Sequence, residues 1–285
     1  MRKTLLDISK KIDKLNLEIL KTVKEIADEL NYEFFLVGAS VRDMILNHVY
    51  GINIYRKTND IDFAIRLKNW KEYRQLTTRI EAKGFIKSQN IMHRYTYNGM
   101  IIDLIPFGEI SNDNETITWP DLNKKEMTVI GFEDVYNNTE ELLICTDPDI
   151  IIKTASVEGL VLLKLFAWNE RATDLRIRDA KDLYIILSTY LDAGNRDRLF
   201  DEHTDIVDDN FDYQLGGARL LGRDISKISG VPAFNALLEI MNNEKVNDLI
   251  SEMAQYEDIP LERDERIDFC KKMLGSFSQG LNEDK

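Results

Sequence analysis

The chain has 285 residues, a length open to one large domain or two modest ones, and its 44% hydrophobic and 31% charged composition fits a soluble globular protein with a real core. With 37 basic against 50 acidic side chains the formal charge is −13, which excludes the global balance of a histone-like or non-specific DNA binder; a nucleic-acid substrate would need a local basic strip. Two cysteines, Cys145 and Cys270, with no CxxC pair, exclude a disulfide scaffold and a zinc-thiolate site and fit a reducing cytoplasm.

Leu5, Ile8, Ile12, Leu15, Ile19, Leu20, Val23, Ile26 and Leu30 recur at helical spacing and predict an amphipathic helix over 4–30, stopped at Asn31. The basic start lacks a continuous apolar stretch, so no secretory leader is expected. Glu33–Val37 reads as a short buried strand ending at Gly38, followed by a helix over Ser40–Asn47 and a loop over 48–59. Asp60–Arg66 alternates polar and apolar residues like a half-buried strand, and 69–83 looks helical. Residues 92–98 and 100–107 form a hairpin around Asn98-Gly99. A polar loop is expected over 111–126, short strands around 127–131 and 141–145, a turn at 146–149 and a strand over 150–154. From Val157 the pattern is helical, broken at Gly194, Gly216-Gly217 and Gly230-Val-Pro232, with fraying expected over 276–285. Its most apolar stretch, 157–168, is interrupted by Lys164 and too short to span a bilayer, so no membrane partner is expected. The fold class is therefore α/β (α+β): an N-terminal domain over 1–155 with a small mixed sheet, then a helical region over 156–285. Residues 191–285 hold 11 basic and 21 acidic side chains, so the acidic excess lies there.

Asp60 and Asp62 stand two apart on a predicted strand, so both carboxylates point to one face. They repel each other and are costly to bury, and a divalent cation with hard oxygen ligands, Mg²⁺, removes both problems. Asp103 interrupts the apolar run 100–107, where an unpaired charge would be expensive; a strand beside 60–66 would bring it to the same metal. Phe34–Ser40 runs from a strand through Gly38 and small residues into a helix, a turn at which backbone N–H groups approach phosphate. His48, His93 and His203 match no ligand spacing and read as structural.

Together, Leu36-Val-Gly-Ala-Ser-Val-Arg-Asp43, Thr58-Asn-Asp-Ile-Asp-Phe63 and Ile102-Asp-Leu-Ile-Pro-Phe-Gly108 resemble the DNA polymerase beta-type nucleotidyltransferase superfamily. The run from Gly38 to Asp43 is similar to that of tRNA CCA-adding enzymes. Gly159–Trp168, with Arg171 and Asp179-Ala-Lys-Asp-Leu183, resembles the AbiEii-type nucleotidyltransferases of toxin–antitoxin and abortive-infection systems. The resemblance covers roughly residues 30–190 and departs at Ala39, where the superfamily usually has Gly or Ser; Ser40 follows one place later. It implies an NTP co-substrate and two Mg²⁺ ions held by Asp60, Asp62 and Asp103, with Asp103 able to accept the acceptor's proton. The turn Gly38, Ala39 and Ser40 is expected to approach the phosphates; Asp43 either satisfies the helix dipole or joins Arg42 toward phosphate or acceptor, and Arg56 and Thr58, just before the pair, are further candidates for the nucleotide.

Lys164, Trp168 and Arg171 share a helix face. Lys164 either snorkels to solvent or neutralises the β- and γ-phosphates, and the resemblance implies that Asp182 orients it. The acceptor stays open. A tRNA 3′ end or another macromolecule fits the toxin-like motif, with Lys153, Lys164, Arg171, Arg176, Arg178 and Lys181 as a phosphate strip diluted by Asp174, Asp179 and Asp182. A cationic small molecule such as an aminoglycoside fits the acidic surface of Asp201, Glu202, Asp205, Asp208 and Asp209. The resemblance also implies a cognate antitoxin, without requiring a complex; stable DNA binding is not expected. An inactive nucleotide-binding protein is the remaining alternative, disfavoured because all three carboxylates are present.

Overall fold

Alternating apolar segments build the first part of the chain. The computed structural model describes residues 5–54, 58–113, 115–120, 125–208, 210–257 and 259–283, and the chain divides into two units, Met1–Ser156 and Val157–Lys285.

In the first unit β1 (Leu5–Asp7) precedes α1 (Lys14–Leu30). The single helix expected over 4–30 is thus corrected: Leu6 and Ile8 are buried on strand β1 and just beyond it, and the Asp13 carboxylate accepts from Asn16 N to start the helix at 14. Asn31 ends α1 in the left-handed conformation, φ 56°. Next come β2 (Glu33–Val37), α2 (Gly38–Arg42), π-helical turns over Asp43–Val49, β3 (Asp60–Arg66) and α3 (Trp70–Ala82), whose cap is the Asn69 side chain. They are followed by β4 (Ile86–Lys87), β5 (Arg94–Tyr97), β6 (Met100–Phe107), β7 (Thr116–Thr118), β8 (Glu126–Thr128), α4 (Phe132–Asn137), β9 (Glu140–Cys145) and β10 (Ile150–Thr154). Asn98 and Gly99 both have positive φ, as a tight hairpin turn between β5 and β6 requires.

Among the described residues the main sheet has eight strands in the order β1-β9-β10-β2-β3-β6-β5-β4. It is mixed, as expected, but larger than the small sheet the sequence suggested, because β1, β9 and β10 extend it beyond β2. The stretch read as a polar loop holds β7, which pairs with β8 at the start of the strand expected around 127–131. Trp119, beside that ribbon, is buried with its ring 5.1 Å from Trp70 and 5.7 Å from Tyr73, so it is a core anchor. Leu36, Phe63 and Leu104, in register on β2, β3 and β6, are fully buried. Large apolar side chains buried in this way contribute about 1.5–3 kcal/mol each. The opposite face carries Phe35 and Phe107, on which Phe132 and Tyr136 of α4 pack at 5.8–6.3 Å between centroids.

The second unit is helical: α5 (Val157–Glu170), α6 (Thr173–Thr189), π-helical turns over Leu191–Asn195, α7 (Arg196–Glu202), α8 (Tyr213–Ile228), α9 (Val231–Asn242), α10 (Val246–Met253) and α11 (Arg263–Leu281). Gly194 (φ 85°) and Gly230 do interrupt helices. Gly216 and Gly217 do not. They lie inside α8, where added Cβ atoms would come within 2.4 Å of Phe211 and 3.0 Å of Leu191, so these glycines serve packing. Nor does 276–283 fray: Phe277 and Leu281 are fully buried, and Glu283 accepts from Arg219 and Arg223. A Cβ on Gly280 would lie 1.9 Å from Arg219 O, so backbone contact between α8 and α11 fixes the end of the chain. Among the described residues no helix is long and apolar enough to cross a membrane.

Candidate active site

Antiparallel pairing of β2 with β3 sets the end of one strand against the start of the other, with Val37 opposite Asp62. Parallel pairing of β3 with β6 sets Asp62 opposite Asp103, and the β5–β6 hairpin sets Asp103 opposite Arg94. Residues directly across neighbouring strands share a face, so Asp62, Asp103 and Arg94 form a lateral row, with Asp60 on the same face two residues along β3. Asp103 is 5% exposed and tolerates burial because Arg94 forks onto it: Nε donates to Oδ1 at 2.8 Å and Nη2 to Oδ2 at 2.7 Å. Hydrogen bonding to Asp103 raises the Arg94 pKa above its ordinary value, partly offset by burial, and the charges of Asp103, Asp62 and Asp60 add to the rise. His93 places Nε2 3.9 Å from Asp103 Oδ2 and packs its ring 5.6 Å from Trp119.

Gly38 has φ +83°, and a Cβ there would lie 1.9 Å from Asp62 Oδ2 and 2.7 Å from its Cγ. Only glycine lets this carboxylate lie against the turn. Ala39 is half-buried, and the buried Ser40 hydroxyl finds no hydrogen-bond partner among the described residues. Arg42 is fully buried and donates through Nε to Asp43 Oδ1 at 2.9 Å. Asp43 Oδ2 accepts from Thr58 N at 3.2 Å, and the Thr58 hydroxyl donates to Asp60 Oδ1. The run Arg42–Asp43–Thr58–Asp60 thereby ties the glycine turn to the carboxylate pair; Arg56 lies outside the described residues.

Asp60 and Asp62 offer hard oxygen donors of the kind Mg²⁺ prefers, and Gly38 leaves the space that the Asp62 carboxylate occupies. Asp103 reaches the same face but turns both oxygens to Arg94. Among the described residues no three His, Cys, Asp or Glu side chains converge as a group able to hold a metal ion.

In the second unit Lys164 is buried and does not snorkel. Its Nζ donates to Asp182 Oδ2 at 2.6 Å and lies 3.5 Å from Asp179 Oδ1, while Arg171 Nη1 donates to Asp179 Oδ2 at 2.6 Å. Trp168, one turn on, donates Nε1–H to Glu252 at 2.6 Å. Three members of the expected phosphate strip have partners of their own. Lys153, in the first unit, sits 4.3 Å from the Tyr136 ring centre, Lys164 is ion-paired, and Arg176 bonds Glu252 at 2.6 Å.

A family model described as "Nucleotidyl transferase AbiEii toxin, Type IV TA system" matches residues 25–255. The chain belongs to the AbiEii nucleotidyltransferase family. No curated protein matches it. Among solved structures, this AbiEii-family chain is similar to the antibiotic-resistance factor ANT(2″)-Ia in solution, at 13% identity over 68% of this chain and 96% of that one, TM-score 0.36. It is also similar to JHP933 from Helicobacter pylori, at 14% identity over 96% of each chain, TM-score 0.36. A CCA-adding enzyme in complex with CTP matches at 13% identity over 95% of this chain and 69% of that one, TM-score 0.27.

Arg94 was missed in the sequence, although a signal was there. A two-residue turn at Asn98-Gly99 pairs 97 with 100 and hence 94 with 103, so the cation that a buried Asp103 demands was fixed by hairpin register.

Proposed function

We propose that this AbiEii-family nucleotidyltransferase moves a nucleoside monophosphate from an NTP to an acceptor hydroxyl, with Asp60 and Asp62 holding divalent metal. The observation that carries this reading is the pair itself: two carboxylates on one face of β3, one pressed against Gly38. The acceptor oxygen bonds to the α-phosphorus as the bond to the bridging β-phosphate oxygen breaks; pyrophosphate leaves and the hydroxyl proton passes to solvent water. Bound Mg²⁺ supplies neutralisation of the triphosphate charge. The chain's own part is positioning and electrostatics. The turn Gly38–Ser40 offers backbone N–H groups and the Ser40 hydroxyl to the triphosphate, and Arg42, Asp43 and Thr58 hold that turn to Asp60. In the second unit, Asp182 positions Lys164, a cation of the kind that neutralises phosphate charge.

In this reading the acceptor is an RNA, a tRNA 3′ end foremost, and the reaction runs in the cytoplasm, opposed by a cognate antitoxin. A second reading, a cationic small molecule such as an aminoglycoside, draws on the 21 acidic against 11 basic side chains of residues 191–285. The test is incubation with Mg²⁺, each α-³²P-labelled NTP and total bacterial RNA, beside an Asp60→Ala, Asp62→Ala double variant. Label in tRNA with the wild type alone is expected. Label on an added aminoglycoside would move the acceptor to the second reading. No transfer, together with no Mg²⁺-dependent NTP binding by calorimetry, would overturn the catalytic assignment.

A further inference from the structure

We infer that Arg94 stands in for one of the two divalent cations of this site: it holds Asp103, and Asp60 with Asp62 bind a single ion. The inference rests on the nucleotidyl-transfer reading and concerns what that site takes. Four observations carry it. The register of β3, β6 and β5 fixes Arg94 beside Asp103 and Asp103 beside Asp62, so the guanidinium is built into the sheet. Both Asp103 oxygens accept from Arg94, at 2.8 and 2.7 Å, which uses the fork fully. Asp103 is 5% exposed, and the guanidinium lies across both of its oxygens on the side it presents to Arg94. Arginine stays charged at any physiological pH, and a second cation within its reach would meet like-charge repulsion. Asp60 and Asp62, by contrast, are half-buried, and Asp62 lies against the Gly38 turn.

Equilibrium dialysis of the full chain with Mn²⁺ and each of the four α,β-imido-NTPs, measuring both retained nucleotide and retained metal, tests the assignment. One Mn²⁺ per bound nucleotide is expected for the wild type, and two for Arg94→Gln, in which Asp103 is released. Asp103→Asn is expected to keep one, and it carries the test if circular dichroism shows Arg94→Gln to be unfolded. Two ions in the wild type, falling to one in Asp103→Asn, would overturn the inference and leave nucleotidyl transfer standing. A folded Arg94→Gln that still retains one would overturn it too. If the wild type retains neither metal nor nucleotide, the underlying reading fails and this inference with it.

Discussion

Replacing Gly38 by alanine separates backbone strain from displacement of the Asp62 carboxylate. A non-glycine residue in the left-handed region costs roughly 1–2 kcal/mol. The entropy that alanine removes from the unfolded chain returns about 0.4–1 kcal/mol, leaving a net loss of about 1 kcal/mol. Gly99→Ala measures that term alone, because Gly99 has φ +84° and nothing within 4 Å of an added Cβ. At Gly38 the new Cβ would also lie 1.9 Å from Asp62 Oδ2, so the carboxylate must swing away. Forcing that side chain off its rotamer adds about 0.5–1.5 kcal/mol. Gly38→Ala should therefore cost about 2 kcal/mol, lowering Tm by about 2–4 °C per kcal/mol in a unit of this size. The functional loss should be far larger, since a misplacement of about 1 Å in a reacting site costs about 10²-fold. Thermal unfolding by circular dichroism and transfer from labelled NTP read the two effects. In Gly38→Ala with Asp62→Ala, the stability cost attributable to Gly38→Ala should fall toward that of Gly99→Ala, the Cβ at position 62 still lying 3.1 Å from the added atom. Equal stability and equal transfer in Gly38→Ala and Gly99→Ala would refute the reasoning.

Lys164→Met should destabilise the second unit by about 3–5 kcal/mol in urea unfolding, because it leaves Asp182 buried without its ammonium partner. Adding Asp182→Leu should recover much of that loss, and a single variant costing under about 1 kcal/mol would contradict the buried pair. Gly280→Ala should lose about 1–3 kcal/mol, since its Cβ would strike Arg219 O at 1.9 Å. Gly275→Ala, on the same helix with nothing within 4 Å, should gain about 1 kcal/mol; melting shifts of one sign would count against close α8–α11 contact. Burial pushes the Cys270 thiol up from 9.0 to about 12, so a thiol reagent at pH 8 should label half-buried Cys145 in the native chain and Cys270 only on unfolding. Because the folded value is the raised one, this group's contribution to stability is whole below pH 9 and lost as pH climbs toward 12. Fast native labelling of both thiols would be the contrary result.

Much of the carboxylate face was legible because it depends on period and register. Alternation put Asp60 and Asp62 on one face, and an apolar run broken by Asp103 announced a strand needing a partner. The Asn98-Gly99 turn even fixed Arg94 opposite Asp103, but pairing has to be counted across the hairpin before that cation becomes visible. Three-residue strands were not legible. Leu5–Asp7 matches a helical period by chance, and only its parallel pairing with β9, more than 130 residues away, makes it a strand. Glycine was ambiguous for a similar reason. Gly194 breaks a helix, whereas Gly216, Gly217, Gly222 and Gly280 sit inside helices because neighbouring groups come too close for a Cβ.

The sequence by itself determined the order of the longer elements, the division between a sheet-bearing first part and a helical second, and the residue types of the site, since these follow from local periodicity and side-chain chemistry. Tertiary structure decided what each charge faces. Arg94 claims Asp103, Thr58 turns its hydroxyl to Asp60, and Asp182 claims Lys164. A buried charge takes whichever opposite charge the fold brings within about 3 Å, and that distance is set by strand register and helix packing between residues that the chain keeps apart.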